Sequence, residues 1–237
     1  MKYIVSESIF NHFPNFSRAV IIARGIKNLS VCDELYNDFQ QIVHETYINS
    51  DLNVNHPNIK IWREVYKSFP SKSSDLKPSI EALIKRIKKG EGAKIPFINS
   101  IVCISNMVSI KYLFPSGLID LARIKGDLCL DYAEGNEIFR PFGKEEVLNP
   151  AQGEVIYYDN LSKIVLCGSW NSRGGKDTMI MPETEDVVID IDSIIAGSES
   201  LTAQQSAVDL MVNLIQQYCG GKVTTHYLNQ HNSEFTL

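Results

Sequence analysis

The chain has 237 residues, 44% of them hydrophobic, which allows a sizeable core and argues against disorder on the whole-chain scale. A formal net charge of -5 argues against a protein that blankets many phosphates, so no DNA partner is expected. Five cysteines (Cys32, Cys103, Cys129, Cys167 and Cys219) form no CxxC pair, no run is long enough to cross a bilayer, and the N-terminus lacks the apolar core of a secretion signal. These features predict free thiols, no membrane partner and a cytoplasmic location.

Two short β-rich runs, Tyr3 to Val5 and Ala19 to Ala23, precede a helix expected from Val31 to Tyr47, with Leu35, Phe39, Ile42 and Val43 on one face and Ser30 as its cap. A second helix places Ile59, Trp62, Tyr66 and Phe69 at three-to-four-residue spacing and ends at Pro70-Ser71. A third runs from Ser79 to Lys89 and stops at Gly90, and a fourth runs from Asn99 to Tyr112, stopped by Pro115 and Gly117. The basic run Lys85-Arg86-Ile87-Lys88-Lys89 reads as a solvated helix end, or else as a small basic face.

From Gly126 the period becomes that of strands, at Leu128–Tyr132, Val155–Tyr158, Ile164–Cys167, Thr178–Met181 and Val187–Ile191, with neighbouring runs forming hairpins. A last helix through Ala207, Leu210, Met211, Leu214 and Tyr218 ends at Gly220-Gly221, and a strand follows from Val223 to Tyr227. Helices gathered early and strands gathered late indicate an α+β fold, read as one unit over residues 1–237.

The familiar catalytic signatures are missing. The five histidines show no HxxxH or HExxH spacing, and neither GxSxG, GxxxxGK[ST] nor GxGxxG occurs, so no metal and no cofactor is expected. Acidic residues cluster at Glu183, Glu185, Asp186, Asp190 and Asp192. Alternation with Val and Ile predicts that these carboxylates lie on a solvated sheet face.

The segment from Asn106 through Pro115, Gly117 and Asp120 to Arg123-Ile124-Lys125-Gly126 resembles the B3 signature of the editing domain of the phenylalanyl-tRNA synthetase beta subunit. That signature has an Asn-headed helix, a Pro turn, an Asp and a basic-Ile-x-Gly step into a strand. Gly153-Glu154-Val155-Ile156-Tyr157-Tyr158-Asp159 and Trp170-Asn171-Ser172-Arg173 are similar to free-standing members of this B3/B4 family. Glu183-Thr184 and Cys219-Gly220-Gly221 extend the similarity, which spans about residues 57–221. The resemblance implies a three-layer β/β/α domain whose central pocket takes the aminoacylated 3′ end of a tRNA and cleaves the ester with a positioned water. Gly117 stands where many synthetases carry a pocket His, and no residue between Asp190 and Thr202 matches the synthetase pocket wall.

Ester hydrolysis of this kind asks the protein mainly for position. The expected catalytic pair is Asn171, which can donate and accept, and Arg173, whose fork suits phosphate or carboxylate and whose alternative is a surface salt bridge. Asn106, Pro115, Gly117, Asp120, Trp170 and Thr184 are expected to bind substrate. Trp170 is either a flat surface for adenine or a core aromatic, and Asp120 either serves the site or brackets a turn. The implied function is a trans-acting deacylase of misacylated tRNA. The alternatives are a catalytically silent module that binds an RNA end, amino acid or nucleoside, and hydrolysis of another small ester or amide.

Overall fold

The computed structural model describes residues 1–69, 76–89 and 95–237. The expected stops at Pro70-Ser71 and Gly90 lie outside the described residues. In chain order the elements are β1 (Lys2–Val5), α1 (Glu7–His12), β2 (Ser17–Arg24), α2 (Asp33–Ile48), α3 (Pro57–Lys67), α4 (Ser79–Lys88), α5 (Ser100–Tyr112) and β3 (Ser116–Asp120). There follow a 3-10 turn (Leu121–Arg123), β4 (Leu128–Tyr132), β5 (Val155–Asp159), β6 (Val165–Gly168), β7 (Arg173–Gly174), β8 (Val187–Ser193), α6 (Ser198–Tyr218), β9 (Lys222–Leu228) and β10 (Glu234–Thr236).

The strands form two sheets. One is ordered β10-β1-β4-β5-β6-β7, with β1 and β4 parallel and the remaining pairs antiparallel. The other, β3-β8-β2-β9, is antiparallel throughout. Side chains alternate between faces along a strand, so each side of the second sheet serves a different core. Ala19, Ile21, Ala23, Val187, Ile189 and Ile191 pack against the apolar faces of α2, α4, α5 and α6. Val20, Ile22, Val188 and Ile119 face the first sheet and meet Tyr3, Val5, Leu128, Leu130, Val155 and Tyr157. The layers are therefore sheet, sheet and helices, an α+β architecture.

The local chemistry accounts for most boundaries. Asn99 caps α5, its side chain accepting from Val102 N at 3.0 Å, and His56 Nδ1 accepts from Asn58 N ahead of Pro57 in α3. The cap of α2 is Cys32, without a side-chain bond, and not Ser30. The C-terminus of α2 is instead served by Lys88 of α4, whose Nζ donates to the carbonyls of Thr46, Tyr47 and Asn49 at 2.6, 3.0 and 2.6 Å. The basic run therefore divides, since Lys88 caps a neighbouring helix and Lys85 binds Glu81 at 2.6 Å. At the end of α6, Gly220 takes a φ of +66° and its N–H bonds to Ile215 O, as a left-handed terminus requires.

Three further expectations are corrected. Thr178–Met181 forms no strand, because its carbonyls serve side bonds: Thr178 O accepts from Asp120 N and Met181 O from the Asn28 side chain. Ser116–Asp120, read as a stop after the helix, is a strand held by its pairing with β8. The third concerns Asp190 and Asp192 and belongs to the site.

The signature step into β4 has a clear basis. The buried Asp159 carboxylate accepts from Lys125 N and Gly126 N at 2.7 and 3.0 Å, and from Leu161 N and Ser162 N. A Cβ on Gly126 would lie 2.6 Å from Leu161 Cβ and 2.8 Å from an Asp159 oxygen.

Candidate functional site

Pairing of β2 with β8 sets Arg18 opposite Asp192. Arg18 Nε and Nη2 donate to Asp192 Oδ1 and Oδ2 at 2.6 and 2.9 Å, a bidentate fork. Arg18 Nη1 reaches across to the other sheet and donates to Tyr3 Oη at 2.9 Å, and Tyr3 Oη donates to Asp190 Oδ1 at 2.6 Å. From the turn after β6, Trp170 Nε1 and Asn171 Nδ2 donate to Asp192 Oδ2 at 3.1 and 3.2 Å, and Tyr66 Oη donates to Asn171 Oδ1 at 2.6 Å. Arg18, Asp190 and Asp192 are 2%, 4% and 2% exposed. This corrects the solvated face that the alternation predicts. The two carboxylates do share a face, but the first sheet covers it. Burial pushes the Asp190 carboxyl up to about 6; Arg18 opposes that rise and the charge of Asp192 adds to it.

The turn that delivers Trp170 and Asn171 is unusual. Ser169 and Trp170 both adopt the left-handed region, with φ of 49° and 67°, which is costly for residues with a Cβ. Glu154 holds the turn, its Oε1 accepting from Ser169 N at 2.8 Å and Ser169 Oγ at 2.6 Å, while Trp170 N bonds to Val155 O at 2.6 Å. The Gly153-Glu154 and Trp170-Asn171 motifs thus form one structure. Trp170 is 1% exposed, with edge-on ring contacts to Phe13, Phe16 and Trp62 at 5.0, 4.9 and 5.4 Å. Of its two expected roles the structure supports the core aromatic, since no face of the indole is open to a base.

Beyond this centre lies a cavity of about 400 Å³, in the size range of small-ligand pockets. Helix α4 supplies Ser79, Ala82, Leu83 and Arg86, and α5 supplies Ser105, Asn106 and Ser109. Ser116 opens β3, and Phe142, Ser172, Arg173 and Gly174 close the remaining side. Five of the chain's arginines (Arg18, Arg24, Arg63, Arg123 and Arg140) pair with carboxylates. The other two, Arg86 and Arg173, line this cavity, and no carboxylate pairs with either among the described residues. Ser79 Oγ is buried there without a hydrogen-bond partner among the described residues. Helix α4 is fixed by Glu81, which is fully buried: burial would raise its pKa, but Arg63 at 2.9 Å and Lys85 hold it below the usual value.

The expected site residues divide between these surroundings. Asn106 and Arg173 line the cavity. Pro115 and Gly117 flank Ser116. Pro115 O accepts from Asp192 N, and a Cβ on Gly117 would meet Asp190 Oδ2 at 3.5 Å. Asn171 commits its amide to Tyr66 and Asp192 and touches the cavity wall through its backbone, where its carbonyl accepts from Ser79 N at 3.0 Å. Asp120 and Thr184 brace a turn instead of facing the cavity. Thr184 Oγ1 donates to Asp120 Oδ2 at 2.9 Å, and the other Asp120 oxygen accepts from Ala122 N. Sequence reasoning sees Arg86 only within a basic run and misses Phe142 and the serines. Ser105 and Ser109, four apart on an otherwise apolar helix with Asn106 between them, are the available signal.

A family model for the B3/4 domain matches residues 61–220. The chain belongs to the B3/4 domain family. No curated protein matches it. Among solved structures, this B3/4 protein is similar to an N-terminal fragment of the phenylalanyl-tRNA synthetase beta-subunit from Pyrococcus horikoshii, at 15% identity and a TM-score of 0.46. That match covers 92% of this chain and 49% of the other, so the chain spans about half the length of that fragment. Among the described residues of this B3/4 protein, no helix is long and apolar enough to cross a membrane, and no three His, Cys, Asp or Glu side chains gather as metal ligands. All five cysteines are free, and burial pushes the thiols of Cys103 and Cys167 up to about 12.

Proposed function

We propose that this B3/4 protein is a deacylase acting in trans on misacylated tRNA, with the cavity between α4 and α5 receiving the aminoacylated 3′ end. The observation that carries this reading is the presence at one hydroxyl-lined cavity of the two arginines that pair with no carboxylate among the described residues. In a chain of net charge -5, two such guanidiniums favour an anionic end over a long phosphate track. Arg86 and Arg173 hold phosphate oxygens, Asn106 orients the aminoacyl group, and the serines hold a water near the ester carbonyl. The water adds to that carbonyl as it gives up a proton, and the ribose oxygen leaves with a proton, assisted by the neighbouring ribose hydroxyl. Asn171 is a positioning residue, acting through Ser79 and α4.

One observation favours a second reading, a silent binding module: among the described residues the cavity lining contains no carboxylate, imidazole or thiol that could serve as a general base. A panel of mischarged tRNAs separates the two. The deacylase releases the amino acid from at least one mischarged tRNA faster than from its matched counterpart. Arg173→Ala lowers that turnover about tenfold to a hundredfold, as the loss of a charged hydrogen bond of roughly 1.5–3 kcal/mol requires. Hydrolysis of every member at the buffer rate, together with tight binding of an uncharged RNA end, would establish the binding module.

A further inference from the structure

With Trp170 buried, the aromatic ring available at the cavity is Phe142, which lines it and is 59% exposed. Large exposed apolar side chains are ordinary on mobile surface, but the backbone here is fastened. Phe142 N donates to Gly174 O at 3.0 Å, Lys176 N donates to Arg140 O at 2.8 Å, and Pro141 bridges Gly175. Arg140 is paired with Asp177 at 2.9 Å. Three residues back, Phe139 packs so closely on Gly168 that a Cβ there would lie 2.6 Å from its ring. The segment therefore holds Phe142 beside Arg173 and Gly174 at the cavity wall, leaving most of the ring surface unburied.

We propose that Phe142 is a stacking platform for a nucleobase, and that the cavity reads a nucleotide, with the base on Phe142 and its phosphate on Arg86 and Arg173. This deepens the reading of the cavity above and rests on its being the ligand site. A flat apolar face on the same cavity as two guanidiniums that pair with no carboxylate among the described residues matches the two parts of a nucleotide, because every base has a π-face and a guanidinium fork matches phosphate oxygens. The hydroxyls of Ser79, Ser105 and Ser116 line the same cavity and are the kind of partner a ribose takes. The nearby lysines do not add to the cation set, since Lys144 and Lys176 are paired with Glu146 and Glu145. Recognition of this kind is local, in keeping with an acidic chain.

The test is calorimetric titration of the full chain with AMP, ribose 5-phosphate, free tyrosine and the trinucleotide CCA. AMP binds more tightly than ribose 5-phosphate. Phe142→Ala weakens AMP about fivefold to a hundredfold, the range for loss of one base stack, and leaves ribose 5-phosphate unchanged, while Phe142→Trp restores binding. Arg86→Ala weakens both phosphates alike. A tighter fit for CCA assigns the site to an RNA end, a tighter fit for AMP assigns it to a free nucleotide, and either keeps the inference. Equal affinity for AMP and ribose 5-phosphate, indifference of AMP to Phe142→Ala, or tyrosine binding that AMP does not displace would overturn it. Phe142 is exposed, so loss of fold is not expected, and the unfolding temperature of Phe142→Ala checks this. Deacylation is measured separately. Cleavage of mischarged tRNA by a Phe142→Ala protein at the wild-type rate removes the stack and leaves the hydrolase, whereas Phe142-dependent AMP binding without any deacylation does the reverse.

Discussion

Replacing Asp190 by Asn tests the buried ionic centre through its pH dependence. Asp190 titrates at about 6 in the folded chain instead of its ordinary 3.8, so between those values the native state holds more protons than the unfolded state. A raised carboxyl gives stability that is fully present below pH 3.8 and lost as pH rises through 6. The loss is about 3 kcal/mol in total, and somewhat under half of it falls between pH 5 and pH 7. The amide introduced by Asp190→Asn keeps an acceptor for the Tyr3 hydroxyl and cannot ionise. Urea unfolding followed by the fluorescence of Trp62 and Trp170 at pH 5, 6 and 7 gives the stability of both proteins, and subtraction removes every other titrating group. Asp190→Asn gains on the order of 1 kcal/mol on the wild type between pH 5 and pH 7. Parallel stability curves would show that Asp190 ionises freely and that the centre is wet.

Arg18→Met leaves Asp190 and Asp192 facing each other without their shared cation. A loss of about 3–5 kcal/mol at pH 7 is expected by urea unfolding, shrinking at pH 5 as Asp190 takes up a proton. Gly221→Ala forces a Cβ onto a left-handed residue and 2.5 Å from Arg24 O, costing more than about 2 kcal/mol, which a drop in thermal midpoint would register.

The helices of the first half are legible because each has one face in a core. Ile59, Trp62, Tyr66 and Phe69 keep helical spacing because the sheets lie on that side of α3. Strand β3 is hidden because Pro115, Ser116 and Gly117 carry turn chemistry, and what makes them a strand is the distant β8. Helix α1, six residues long, is too short to show a period. The same limit governs the site. Alternation along β8 places Asp190 and Asp192 on one face, but whether water or a second sheet covers that face depends on β1, whose Tyr3 is 187 residues away from Asp190 in the chain. Arg173 and Asn106 stand out through their motifs, whereas Arg86 is one cation in a basic run and Phe142 reaches the cavity through tertiary packing that leaves no local mark.

Asn171 carries its two roles on different atoms, with its amide in the ionic centre and its carbonyl on the first residue of α4. Engineers commonly exchange a buried ion cluster for close-packed hydrocarbon and gain stability without touching activity. That separation does not exist in this molecule. Redrawing the interior around Asp192 releases the Asn171 side chain, loosens the helix that presents Arg86, and turns a robustness edit into an edit of the cavity wall. The buried charges and the cavity shape in this fold have to be varied together.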